Sequence, residues 1–89
     1  METITHPTLV QLVAAGAVRV VIAVGQPGGW TLLVRYGLAE RALAAQRSKQ
    51  VRVFRKLDTL VLYLQQIGVS RFEVDAAGFI VASRPLQGV

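Results

Sequence analysis

Ten Lys and Arg against five Asp and Glu give this 89-residue chain a net charge of +5, with 53% of its residues hydrophobic. The absence of cysteine excludes disulfides, thiolate chemistry and zinc–thiolate sites. No apolar run approaches the roughly 18 residues of a membrane span, and Met1–Pro7 carries an acid and no base ahead of the apolar stretch, unlike a signal peptide. The expectation is one cytoplasmic domain spanning residues 1–89, with loose termini at 1–5 and 83–89 and no membrane partner.

In chain order, Pro7 followed by Leu9, Val10, Leu12, Val13 and then Gly16 predicts a short helix. Proline suits a first turn, Thr5 or His6 can cap it, and Gly16 can close it in a left-handed conformation. Val18 to Val24 sets Val18, Val20, Ile22 and Val24 against Arg19, Val21 and Ala23, a strand apolar on nearly both faces. Gln26-Pro27-Gly28-Gly29 is a turn returning into the β-rich run Trp30–Tyr36, so a hairpin is expected.

Leu38–Arg47 reads two ways. Its Leu, Ala, Glu, Arg and Gln residues favour a helix, whereas Arg41, Leu43, Ala45 and Arg47 alternate with Glu40, Ala42, Ala44 and Gln46 as a third meander strand would. Ser48–Gln50 then turns the chain into an extended Val51–Phe54. Leu57, Leu60, Val61, Leu64 and Ile67 form one apolar stripe. They predict a helix with Asp58 near its positive end, Gly68 beyond its last turn, and Thr59, Tyr63, Gln65 and Gln66 on its polar side. Arg71–Asp75 is a final strand with Phe72 and Val74 inward, and Ala77–Val89 is a glycine-led apolar patch with a loose tail. The fold class is α+β, an antiparallel β-meander of three to five strands with a short N-terminal helix and one amphipathic helix packed on the sheet.

Charge is the functional signal. Arg35, Arg41, Arg47, Lys49, Arg52, Arg55 and Lys56 face only Glu40 within their window, which carries +6 while the rest of the chain sums to −1. Clustered guanidinium groups attract phosphates over a Debye length of about 8 Å. Aromatic interleaving is thin, with Trp30, Tyr36 and Phe54 nearby, and the strong helix carries no arginine, so backbone contact is favoured over base reading or single-strand stacking. The alternative is that these arginines only keep a hydrophobic chain of mean hydropathy +0.48 in solution.

Enzyme chemistry is not expected. The chain has one histidine, no cysteine and five scattered carboxylates, too few acids, bases and nucleophiles for a catalytic constellation. His6, next to Pro7, reads as an exposed or capping residue. Glu73 and Asp75 share a strand face, yet read as a solubilising or ion-pairing couple rather than a metal site. Gly25, Gly28 and Gly29 lack the Lys and Ser/Thr of a phosphate loop. No catalytic residue, metal or cofactor is therefore assigned.

Three stretches, GQPGGWTLLVRYG, ERALAAQRS and VRVFRKLDTLVLYLQQIGVSRFEVDA, carry a resemblance over roughly Gly16–Gly78. The sequence resembles the small ParC-type proteins encoded near partition genes on bacterial plasmids and integrated elements, unrelated to the topoisomerase subunit of that name. The resemblance implies a role in element maintenance, supplies no catalytic residues, and favours the strand reading of Glu40–Arg47. Two functions follow as expectations. One is a non-enzymatic accessory protein with Arg41, Arg47, Lys49, Arg52 and Arg55 as phosphate contacts on nucleic acid. The other is a homodimeric interaction module with an acidic protein partner. In either case the excess of apolar residues and open strand edges predict a homodimer.

Overall fold

The computed structural model describes residues 1–80. The elements run β1 (Thr3–Ile4), α1 (His6–Ala14), β2 (Val18–Gln26), β3 (Gly29–Tyr36), β4 (Ala39–Leu43), α2 (Leu57–Gln66) and β5 (Glu73–Asp75). One five-stranded sheet has the order β1-β4-β3-β2-β5. Its centre is the expected antiparallel meander β2-β3-β4, and β1 and β5 are added in parallel at the two edges.

The local reasons follow the sequence. Thr5 caps α1, its hydroxyl accepting from the Thr8 amide at 3.4 Å, and proline occupies the first turn. The β2–β3 turn needs one left-handed position, supplied by Gly28 at φ 84°. Leu38–Arg47 resolves in favour of a strand over Ala39–Leu43. Helix propensity loses there because β4 pairs on both sides, with β3 through Val34–Arg41 and with β1 through Ile4–Leu43.

Residues 1–5, expected to be loose, instead include the edge strand β1: the amides of Ala42 and Ala44 donate to the Glu2 and Ile4 carbonyls at 3.1 and 2.9 Å. The tail at 83–89 lies outside the described residues. Just before it, Phe79 stacks on Trp30 with ring centroids 4.7 Å apart, and Ile80 bridges Pro27 in parallel.

A register shift between Val18 and Val20 marks a bulge at Arg19, so the strand does not keep Val18 on the same face as Val20, Ile22 and Val24. The core forms on the opposite parity: Val21 and Ala23 of β2, Trp30, Leu32 and Val34 of β3 and Leu43 of β4 join Leu9 of α1 and Leu60, Tyr63 and Leu64 of α2 in one buried cluster. Both helices therefore cover the same face of the sheet. Phe72 packs against this cluster as expected, whereas Val74 is 48% exposed. Tyr63, expected on the polar side of α2, is buried, and no helix among the described residues is long and apolar enough to cross a membrane.

Candidate nucleic-acid interface

The basic window divides into two parts. Arg35 and Arg41 belong to the body of the sheet and are each ion-paired there. Arg35 Nε lies 2.6 Å from Glu40 Oε2. Arg41 donates to the Glu40 carbonyl at 3.0 Å and lies 3.3 Å from Glu2 Oε1. Arg41, expected among the phosphate contacts, lies within β4 and is paired with Glu2.

Arg47, Lys49, Arg52, Arg55 and Lys56 follow β4 and form no ion pair among the described residues. After β4 the chain folds back on itself: Ala44 bridges Val51, the Ala45 amide donates to Gln50 O at 2.7 Å and the Arg52 amide to Leu43 O at 2.8 Å. The turn Gln46–Lys49 is tied by the Lys49 amide to Ala45 O at 3.1 Å, and the Ser48 hydroxyl accepts from the Gln50 amide at 3.2 Å. This turn leaves Arg47 and Lys49 exposed at its tip. The chain then runs beside the start of β3, where Trp30 and Phe54 exchange amide–carbonyl bonds of 2.7 and 2.8 Å. Arg55 and Lys56 follow, both exposed. The topology thus gathers the five cations at one end of the sheet, with the β2–β3 turn and the β1–α1 junction. Lys56 also stands at the N-cap of α2, where no side chain accepts a hydrogen bond, and Asp58 in the first turn sets its charge against the positive end of that helix.

Arg52 differs from the rest. Its guanidinium carbon lies 4.3 Å from the Phe54 ring centroid and 5.4 Å from that of Tyr63, a cation–π stack that holds it in place with its edge available for an anion. The signal was present in the sequence, since Arg52 and Phe54 are two apart on one extended segment and share a face. Tyr63 in turn joins His6, with Nδ1 and the phenol oxygen 2.7 Å apart. His6 is thus a partly buried link between α1 and α2 rather than a free or capping residue, and nothing in the sequence pattern pairs positions so far apart. Burial raises the Tyr63 phenol above its usual 10.0, against a smaller lowering by Arg52. Beside the turn, a cavity of about 310 Å³ opens between Thr5, His6 and Pro7 on one side and Ala44, Ala45, Gln46 and Lys49 on the other.

Chemically, this end of the molecule offers fixed positive charge and little else. Among the described residues no group of three or more His, Cys, Asp or Glu could hold a metal. Glu73 and Asp75 lie at the β5 edge beside Ile22 and Val24 and form no ion pair with the basic segment among the described residues. A family model described as ParC-like matches residues 4–83. The chain belongs to the ParC-like family. No curated protein and no solved structure matches it. Membership in the ParC-like family agrees with the resemblance read from the turn glycines and the Val51–Asp75 stretch.

Proposed function

We propose that this ParC-like chain is a non-enzymatic accessory protein in the partition or maintenance of plasmids and integrated elements. It contacts the nucleic-acid backbone through Arg47, Lys49, Arg52, Arg55 and Lys56. The observation that carries this reading is the concentration of five cations, none with an acidic partner among the described residues, within ten positions at one end of the sheet. Arginine and lysine without an internal partner are free for phosphate, whereas Arg35 and Arg41 would first exchange an acidic partner. Phosphate contacts position a protein on a duplex without reading its sequence, and no helix among the described residues presents basic side chains along its length for the major groove.

The test is fluorescence anisotropy of a short labelled duplex titrated with the full chain across a salt series. Five phosphate contacts correspond to a slope of log K against log salt of about −4.5. Replacing Arg47, Arg55 and Lys56 with Ala and Lys49 with Asn should remove most of this affinity, while Arg19→Ala, at the other end of the sheet, should change it little. Binding that is absent at low salt, or retained by the fourfold variant, overturns the reading. Absent duplex binding with retention on an acidic protein would transfer the basic end to the acidic-partner reading.

A further inference from the structure

His6 is the only histidine of the chain, and it stands where a proton would change the basic end. Its Nδ1 lies 2.7 Å from the phenol oxygen of Tyr63, with the two rings 5.5 Å apart at 60°. Tyr63 is 8% exposed and carries the Arg52 guanidinium on its ring. His6 also lines the cavity of about 310 Å³ together with Thr5 and Pro7, opposite Gln46 and Lys49. Two of the five proposed phosphate contacts are therefore beside this imidazole, Lys49 across the cavity and Arg52 across the phenol ring.

The surroundings allow the ring to change its charge in place. An imidazole exchanges a proton between about pH 5 and 8, and both of its nitrogens are donors once it is charged. A hydroxyl both donates and accepts, so the Tyr63 oxygen can partner Nδ1 in either state and the link between α1 and α2 survives the change. No carboxylate pairs with His6 among the described residues. Glu2, the acid nearest in sequence, lies 3.3 Å from Arg41. The charged groups that face the ring are Lys49 from the turn and, through Tyr63 of α2, Arg52. A further positive charge here meets like charges, which bound phosphates would offset.

We propose that His6 makes nucleic-acid binding proton-linked: phosphates held by Lys49 and Arg52 draw a proton onto the imidazole, and the imidazolium in turn strengthens their binding. This role rests on the backbone contact proposed above and adds a regulated charge to it. The two effects are equal by linkage, so a duplex that favours the charged imidazole by some factor binds the charged form tighter by the same factor. Affinity therefore rises as pH falls through the titration of the ring. Arginine and lysine stay charged across that interval, and of the other groups only the terminal amine titrates within it.

A single histidine supplies its own probe, because one imidazole Cε1–H resonance reports the protonation of His6 in the proton NMR spectrum. The full chain is titrated between about pH 5 and 8, alone and with an excess of the short duplex at low salt. The duplex is expected to raise the midpoint by about half a unit or more, which corresponds to about threefold tighter binding at the acid end of the range. Anisotropy with the same duplex should show that ratio directly. His6→Gln offers Tyr63 a hydrogen-bonding partner but takes no proton, so it should bind with the parent's alkaline affinity at both ends of the range. Should this variant lose its cooperative melt, the resonance of the parent decides. A duplex that binds by anisotropy without moving the midpoint overturns the linkage and leaves the backbone contact standing. A folded His6→Gln variant that keeps the parent's ratio does the same. Absence of duplex binding at every pH overturns the proposed function and the linkage with it.

Discussion

Lys49 is the residue where conformation and charge can be separated. Its φ of 62° makes it the one non-glycine residue among those described with left-handed backbone, a conformation that costs an ordinary side chain roughly 1 kcal/mol. Asparagine tolerates this region better than lysine. Lys49→Asn should therefore leave the melting temperature unchanged or slightly raised, yet reduce the salt slope of duplex binding by about one contact. A variant that lost stability and kept the slope would remove Lys49 from the interface. Tyr63 carries the matching prediction in pH. Burial raises its phenol in the folded state above the unfolded value of 10.0, so the folded chain holds a proton that the unfolded chain releases. The stability linked to this group is complete below pH 10 and is lost as pH climbs through the raised value. Tyr63→Phe gives up the 2.7 Å contact with His6 and is less stable near pH 7. Its denaturant midpoint should then fall less steeply above pH 10 than that of the parent, and parallel profiles would contradict the assignment.

At the scale of elements, α2 holds the sheet's inner face through one stripe. Leu60 and Leu64 are 0% and 1% exposed while Leu62, on the same helix, is 53% exposed. Leu60→Ala should cost about 2 to 5 kcal/mol in a domain whose total stability lies within about 5 to 15, and Leu62→Ala well under 1. Chemical denaturation of the two variants side by side checks the difference, and equal costs would misplace the helix. This stripe was legible because a 3.6-residue period survives in any packing, and the hairpin was legible because Pro27 and Gly28 encode a turn locally. β4 was legible only as a choice, since its residues favour a helix and its pairing partners decide otherwise. β1 was not legible at all: two residues hold no period, and their strand exists because the Ala42 and Ala44 amides, some forty positions away, need acceptors. The candidate site shared that division. The charge cluster stands in the sequence, but the pairing of Arg41 within it depends on Glu2, which reaches Arg41 through the same β1–β4 pairing.

For the molecule as a whole, the distribution of charge sets function against stability. Five like charges within ten residues repel one another at low ionic strength, and none of them is ion-paired among the described residues, Asp58 in the first turn of α2 being the acid nearest in sequence. The chain therefore carries a local electrostatic cost at its basic end, where a ligand's phosphates would relieve it. Added salt acts on the same repulsion, since the screening length shrinks from about 30 Å at 0.01 M to about 3 Å at 1 M. The melting temperature of the parent should rise between these two conditions beyond the general salting-out effect. The fourfold variant lacking Arg47, Lys49, Arg55 and Lys56 supplies the correction, because it shares every other property of the fold. It should melt above the parent at 0.01 M, with the gap closing at 1 M. A saturating duplex at low salt should stabilise the parent and leave the variant unmoved, since a ligand that binds only the folded state stabilises it by mass action. A gap independent of salt would mean that the four side chains act through packing, and the basic end would lose its electrostatic reading.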